Sequence, residues 1–559
     1  MTRQQMTTWL ALGFLALPVL ACGDDDDHDA TDGDHHGAAG SGGKAGSAGS
    51  SKAGSGGSSG GKAGASGSAG TPARANETYA AIEKVTDVRH TQANDLRGLT
   101  YSSTGKIWAS GHTDVDAANR QLVLARFNAD GTPDESFDED GFLIKDLGPG
   151  DEQSIGLVEL SNGDVVVQAA VSDNKGGAPI PDTSATPGED GKRTNGANVV
   201  LVRFTAKGEL VKSFGTDGIA PVLFGWKDSD DASWPAPTYD SSKEMENQRY
   251  SGPGFPTDAA WGVKLDSSGD DEKLVVNGFG PARKVSGDAQ RYDNDRYVAR
   301  LLASTGKPDP DFNGGEAFTL HTQEKLSDGG RRAFVDSDGT IYSSGYTNFG
   351  TDLGNHVVLI KLKPDGTPDD SFGFGEPDLP GVAIFNPFVD NGGVAECYGV
   401  AKQKSGRLIT TGYGRATATD KTSTYGYATS DGPDLVSFAV KADGSGVDTA
   451  WGNEGTRAIQ SEEYSLGGTE DRGRDLIALE DGRIVQVGRF GTSPAIFVLT
   501  PDGELDEDQG EKGIFSYTPF ETMPSHFFSV ALSKDGKHIA AATSNHAEGV
   551  ILAILKVAD

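Results

Sequence analysis

Eight residues before each of seven recurring turn glycines (Gly105, Gly163, Gly269, Gly339, Gly406, Gly482 and Gly536), the chain carries Arg97, Ile155, Trp261, Arg331, Tyr398, Arg474 and Phe528. Three are arginine and three are aromatic. A guanidinium is a planar fork of donors that can hold a carboxylate or phosphate through two parallel bonds. Arg97, Arg331 and Arg474, with Trp261, Tyr398 and Phe528 at the same level, are therefore candidate ligand-binding residues. The plainer expectation is that each arginine pairs with a nearby acid, such as Asp95 or Asp475.

Catalytic chemistry has little support. His90, His112, His321, His356, His526, His538 and His546 fall at different positions relative to the recurring glycines, and none has the H-x-x-x-H spacing of a metal pair. Gly56 to Gly60 reads G-G-S-S-G and matches the nucleophile pattern G-x-S-x-G, but the match sits in low-complexity sequence without a strand-turn-helix context. Asp130, Asp365 and Asp502 precede turn glycines, where aspartate bonds its own backbone. Asp134, Asp369 and Asp506 recur four residues later and leave calcium open, although no segment fits the D-x-[DN]-x-[DN]-G-x5-E loop. The expected catalytic set and the expected cofactor and metal set are all empty, with calcium the one ion the acids suggest.

The elements that must position these residues are hairpins. Around each of the seven glycines an apolar run, a polar turn and a second apolar run follow one another, as in VELSNGDVVVQAA and IALEDGRIVQVG. A second turn glycine follows in six copies (Gly131, Gly208, Gly306, Gly366, Gly444 and Gly503), and after it a short apolar strand. Two hairpins make four strands per unit. The seventh unit ends at Asp559, before its fourth strand, and an isolated strand-like stretch at Tyr79 to Val88 stands ready to replace it. The expected fold is an all-β, seven-bladed β-propeller whose last blade is closed by an N-terminal strand, which removes the open sheet edges.

Spacing varies only in certain connections. First and second turn glycines are closest in unit six (Gly482, Gly503) and farthest apart in unit two (Gly163, Gly208), so strands two and three are joined by loops of variable length. The link from strand four to the next strand one also varies, most of all between Phe224 and Thr257. Both kinds of connection leave an up-and-down blade at the same end, which predicts one elaborated face and one face of tight turns. Loops at one end of a rigid scaffold are where binding resides. The 225 to 256 insertion adds Trp226, Trp234, Tyr239, Tyr250 and Phe255, and the 412 to 434 insertion adds Tyr413, Tyr425 and Tyr427. Trp226 and Trp234 join the candidate ligand-binding residues. Packing of these aromatics onto the propeller is the competing expectation.

Residues 1–21 read as a lipoprotein signal peptide. An apolar run from Trp9 to Ala21 is too short to span a bilayer, and Val19-Leu20-Ala21-Cys22 resembles a lipobox with Cys22 as the lipidation site. Cys22 and Cys397 are the only 2 cysteines of the 559 residues, so a lipidated Cys22 leaves Cys397 as a small buried apolar residue. Residues 22–77 are an acidic, then Gly/Ser-rich tether with too little apolar content to bury a core. As a flexible coil it reaches on the order of 40 Å. Residues 78–559 form the propeller. A net charge of −33 excludes nucleic acid as a partner.

The phrases ARFNADGTPDESFDEDG, VRFTAKGELVKSFGTDG and IKLKPDGTPDDSFGFG, each followed by a hairpin such as LSNGDVVVQ, resemble the delta-60 repeat of bacterial secreted proteins. The resemblance covers about residues 90 to 559, clearest around Gly131, Gly208 and Gly366 and degenerate around Gly306 and Gly444. It implies a propeller-like fold and a secreted location, and it supplies no catalytic residue. The expected function is that of a lipid-anchored envelope or cell-surface binding module, monomeric, whose extracellular or envelope ligand is a glycan or peptide. It would touch the membrane through its lipid alone. Gly23 after Cys22, in place of an aspartate, points to the outer membrane or cell surface over the inner membrane. The alternative is a propeller-type extracytoplasmic enzyme, polysaccharide-cleaving or quinone-dependent, with its site over the central channel.

Overall fold

The turn glycines impose the local geometry. In the first hairpin Ser102 N–H donates to the Lys106 carbonyl at 2.7 Å and Gly105 N–H to the Ser102 carbonyl at 3.2 Å. This places Gly105 at φ 81°, in the left-handed region that a Cβ disfavours. All the other turn glycines named above except Gly269 share this conformation, at φ 68° to 92°. The hairpin of Gly269 is longer, opening between Asp266 and Lys273.

The computed structural model describes residues 79–81 and 94–557, apart from segments 117–118, 148–151, 173–196, 223–258, 282–293, 323–327, 349–354, 376–378, 389–392, 416–432, 462–470, 517–525, 545–549 and 551. Its strands form seven four-stranded antiparallel sheets. Six run in chain order from first strand to fourth. The seventh takes Tyr79–Ala81 as its outer strand, with Tyr79 opposite Val557 and Ala81 opposite Leu555. Of the expected closing stretch, these three residues are the ones described. Among the described residues no helix is long and apolar enough to cross a membrane.

The first strands of neighbouring blades touch around a closed ring, so they form the hub. They are Asn94–Tyr101, Glu152–Glu159, Ala259–Asp266, Asp328–Val335, Val394–Lys402, Arg472–Ala478 and His526–Leu532. Their backbones meet directly. A Cβ on Gly98 would stand 2.9 Å from the Gly156 Cα, and one on Gly156 would stand 2.6 Å from the Gly262 Cα.

The hydrophobic core is divided into layers, one for each pair of neighbouring blades. Trp108, Leu122 and Leu124 of blade one meet Val165, Val167 and Val202 of blade two. Ala531, Ala540 and Ile554 of blade seven meet Leu96, Ile107 and Val123 of blade one. Equivalent layers fill the other five interfaces. Both faces of each sheet are thus buried, which explains continuous apolar runs such as Val165 to Val167.

The repeat phrase itself has a physical role at the tight-turn end. Its aromatic residue packs under the second turn glycine of the next blade, and a Cβ on that glycine would collide with the ring. The approach would be 3.2 Å for Phe137 at Gly208, 3.0 Å for Phe214 at Gly306, 2.8 Å for Phe312 at Gly366 and 2.5 Å for Trp451 at Gly503. Backbone bonds reinforce the contact, including Gly215 N–H to the Thr305 carbonyl at 2.8 Å and Gly452 N–H to the Asp502 carbonyl at 2.7 Å.

Deleting Tyr79–Ala81 from the full chain removes the outer strand of blade seven and bares the edge of Leu552–Val557. The deletion is expected to lower the melting temperature by several degrees and to make the C-terminal strand sensitive to protease, as read by calorimetry and limited proteolysis. An unchanged melting curve would remove the closure from the account of stability.

Candidate functional site

Every hub strand carries a β-bulge at the same position. The ladder to the second strand skips Arg97 between Leu96 and Gly98, Ile155 between Ser154 and Gly156, Tyr398 between Cys397 and Gly399, Arg474 between Gly473 and Asp475, and Phe528 between Phe527 and Ser529. Two residues are skipped in blade three (Trp261, Gly262) and two in blade four (Arg331, Arg332). A bulge leaves a residue unpaired and re-aims its side chain. The skipped positions are the seven found eight residues before the turn glycines, so the sequence pattern marks a ring of bulges. The bulged strand leaves no room for a side chain opposite it. A Cβ on Gly111 would lie 1.6 Å from the Asp95 carbonyl oxygen, and one on Gly488 1.9 Å from that of Arg472.

The ring converges at the hub. Trp261 stacks on Phe528 at 5.5 Å and meets Tyr398 edge to face at 5.4 Å. Arg331 lies over Trp261 at 4.5 Å and Tyr398 at 4.7 Å, Arg97 over Phe528 at 5.0 Å, and Arg474 over Tyr398 at 4.6 Å. Ile155 completes the cluster. In the structure none of Arg97, Trp261, Arg331, Tyr398, Arg474 and Phe528 exceeds 6% exposure, because the guanidinium groups and rings pack on one another at the hub.

The arginines differ in their partners. Arg97 pairs with Asp95 of its own strand at 2.5 Å. Arg331 pairs across the blade interface with Glu396 at 2.6 Å, and Glu396 also accepts the Tyr413 hydroxyl at 2.9 Å. Asp475 faces Arg332 at 3.5 Å rather than its sequence neighbour Arg474. Arg332 escaped the sequence reading because a two-residue bulge puts it one place beyond the repeat position. It reaches across the axis from blade four to the Phe528 carbonyl at 2.8 Å and the Ser529 hydroxyl at 2.9 Å. Burial, with the fields of Arg474, Arg97, Arg489 and Arg472, holds the His526 imidazole well below its ordinary value and therefore neutral.

Tyr413 was expected in an insertion. It instead belongs to the strand Leu408–Arg415, buried at 3% exposure, because its hydroxyl is taken up by Glu396 and its ring by the hub cluster. Cys397 is a buried free thiol, pushed up to about 12 chiefly by burial. Cys22, Trp226, Trp234, Tyr239, Tyr250, Phe255, Tyr425 and Tyr427 lie outside the described residues.

The acids considered for calcium are engaged by cations. Asp134 meets Arg126 at 2.6 Å and Lys106 at 3.0 Å. Asp369 meets Lys361 at 2.7 Å, and that bond, with the one from Ser371, brings its carboxyl down to about 2. Asp506 stands 3.4 Å from Arg483.

Among the described residues one group has donor atoms close enough for a metal, Asp295, His321 and Asp328, all within 4.8 Å. It comes from two strands and from the chain just past a third, in two blades, so no linear spacing announces it. Burial first, and then the Asp295 charge, pushes Asp328 up to about 6 against the bonds from Thr322 and Thr347. Asp328 also has a mechanical role. It accepts Thr322 N–H at 2.9 Å, Glu152 accepts Leu147 N–H at 3.4 Å, and Asp471 accepts Ser461 N–H at 2.7 Å. In each case an acid at the start of a hub strand fastens the chain leaving the fourth strand of the preceding blade. That repeated latch accounts for the two engaged Asp328 oxygens.

Two contrasts test these assignments. Arg331→Met strands a buried Glu396 and is expected to cost about 3–5 kcal/mol in urea unfolding, whereas Arg474→Met strands no acid and is expected to be neutral or stabilising. Asp369 has a folded-state value below its unfolded one, so its contribution is present above about pH 4 and is lost as pH falls toward 2. Asp369→Asn should therefore lower stability at pH 7 and leave it unchanged at pH 2, as measured by thermal melts across that range.

A family model described as a domain of unknown function (DUF5122) beta-propeller matches residues 102–137 and 337–372, in both cases running from the first turn to the aromatic that packs under the next blade. No curated protein matches the chain. Among solved structures, the chain is similar to a protein of unknown function from Dyadobacter fermentans at 12% identity, covering 86% of this chain and 99% of that one with a TM-score of 0.40. It is also similar to the NanB sialidase of Streptococcus pneumoniae at 11% identity, covering 85% and 70% with a TM-score of 0.36. A third is prolyl oligopeptidase B of Galerina marginata at 10% identity, covering 84% and 52% with a TM-score of 0.35. Blades one and four thus match a propeller repeat family, within a chain whose strands build seven blades.

Proposed function

We propose that this chain is a lipid-anchored envelope protein of the delta-60 repeat type. Residues 1–21 are its signal peptide, Cys22 its lipidated N-terminus, 22–77 its tether and 78–559 a binding propeller displayed at the outer membrane or cell surface. It binds an extracellular glycan or peptide on one face, as a monomer. The observation that carries the reading is the asymmetry between the two ends of the blades. At one end the chain turns through tight, left-handed glycines locked to the next blade. From the other end leave the connections between strands two and three and from strand four to the next hub strand, and there the hub strands begin. A rigid closed ring with its longest connections on one rim suits recognition, since variation there leaves the core layers untouched.

Cys22→Ala is expected to shift the full chain from the membrane to the soluble fraction, and mass spectrometry of the mature wild type should find a diacylglycerol adduct on Cys22. A Cys22→Ala variant that stays membrane-bound defeats the anchor. For the binding face, the full chain in detergent is applied to glycan and peptide arrays beside a variant with residues 225–256 replaced by a short Gly/Ser linker, and beside Asp130→Arg/Asp365→Arg on the tight-turn face. Array signals should fall at least fivefold with the first change and persist with the second. The reverse pattern, or no signal from the wild type, overturns the reading.

A further inference from the structure

Arg474 stands apart from the other ring arginines. It is 6% exposed, yet among the described residues no carboxylate pairs with it and its Nε has no hydrogen-bond partner. Among the described residues its guanidinium is held by the faces of Tyr398 at 4.6 Å and Phe528 at 5.6 Å. The same two rings border Trp261, 3% exposed, whose indole Nε1 also lacks an acceptor. Two buried donors without acceptors therefore share one aromatic wall. The acid next in sequence is not available to them. Asp475 accepts Leu476 N–H at 3.0 Å and Val530 N–H at 3.3 Å and faces Arg332. Arginine also dominates the local field, since the charges acting on His526 are those of Arg474, Arg97, Arg489 and Arg472, all of which disfavour a further positive charge.

Buried donors are normally satisfied, and a buried cation is normally paired or bound to an anion. A carboxylate supplies what both groups lack: a counter-charge for Arg474, two acceptor oxygens for a fork of N–H donors, and a planar group that lies between aromatic faces. We propose that the hub ring is a carboxylate receptor in which Arg474 grips the anion, the Trp261 indole N–H donates to it, and Tyr398 and Phe528 flank it. Entry is from the rim where the hub strands begin. The proposal rests on the reading of the propeller as a binding module and names the chemistry its ligand must present. The carboxylate of an acidic sugar and the C-terminal carboxylate of a peptide are two sources of that one group.

The test is isothermal titration of the full chain in detergent micelles with sodium D-glucuronate and with N-acetyl-dialanine, each beside its methyl ester. At least one acid should bind, with its ester at least tenfold weaker, and the acid that binds identifies the source. Arg474→Met should weaken that acid at least tenfold while the melting temperature is kept. Trp261→Phe, which removes the N–H and keeps the ring, should weaken it severalfold. If Arg474→Met does not fold, Arg474→Lys, which keeps the charge and loses the fork, takes its place and should weaken that acid at least fivefold. Equal binding of acid and ester, unchanged binding after both ring substitutions, or no acid bound by the wild type overturns the proposal. Array signals that survive Arg474→Met but vanish with the 225–256 replacement would sink the receptor and leave the binding face standing. Carboxylate binding without any array signal would do the opposite.

Discussion

The constraint on which this structure depends is crowding at the axis. Seven hub strands meet with so little space that neighbouring backbones touch through Gly98, Gly156 and Gly262. A regular strand could not tolerate that approach and still place a side chain toward the axis at every second residue. The bulge resolves the conflict. It takes a residue out of the ladder, turns it toward the axis, and allows a small residue to follow where the strands collide. The cost falls on the second strand, where Gly111, Gly345, Gly412 and Gly488 sit because any Cβ would run into a carbonyl of the bulged strand.

The same geometry divides the molecule into two ends with different mechanical characters. At the tight-turn end blades one to five each insert a ring under a glycine of the next, so a change in one of those turns is felt across an interface. Toward the other end the fastening is polar: Glu152, Asp328 and Asp471 accept backbone N–H groups from the preceding blade at the beginning of the hub strands. Carboxylate latches hold the strand ends and leave the connections beyond them free to differ in length. The aromatic locks and the core layers carry the stability, and the latched rim can accept insertions.

Much of this was legible in the sequence. Turn glycines, strand count, blade number and the displaced closing strand all follow from local chemistry that repeats, and repetition averages out the ambiguity of any single hairpin. The ring positions were legible as a register, eight residues before each turn, because a bulge at a constant place keeps the count constant. What the ring residues touch was not. Whether Arg331 meets Glu396 or Arg474 meets Asp475 depends on side-chain directions between blades, and no spacing along the chain encodes those. Tyr413 shows the limit from another side. An aromatic at the end of a strand reads like the start of an exposed loop until its hydroxyl is seen on Glu396. Asp295, His321 and Asp328 were invisible because separate elements of two blades bring them together.

The hub also bears on the contrast between binding and catalysis. An acid or base at work over a channel needs a titratable group held near neutrality and reachable by substrate. His526, which packs on the Phe528 ring at 5.7 Å, is held well below its ordinary value by burial and the surrounding arginines, and the carboxylates Asp95, Glu396 and Asp475 are engaged with Arg97, Arg331 and Arg332. Among the described residues three cations thus have their counter-charges and the fourth, Arg474, does not. In a chain of net charge −33, four arginines nonetheless meet at the hub. A purely structural plug would be better served by an apolar side chain at that position, since an unpaired buried charge opposes folding. The fold tolerates Arg474 through two aromatic faces, and an anion arriving from the rim would supply what those faces cannot.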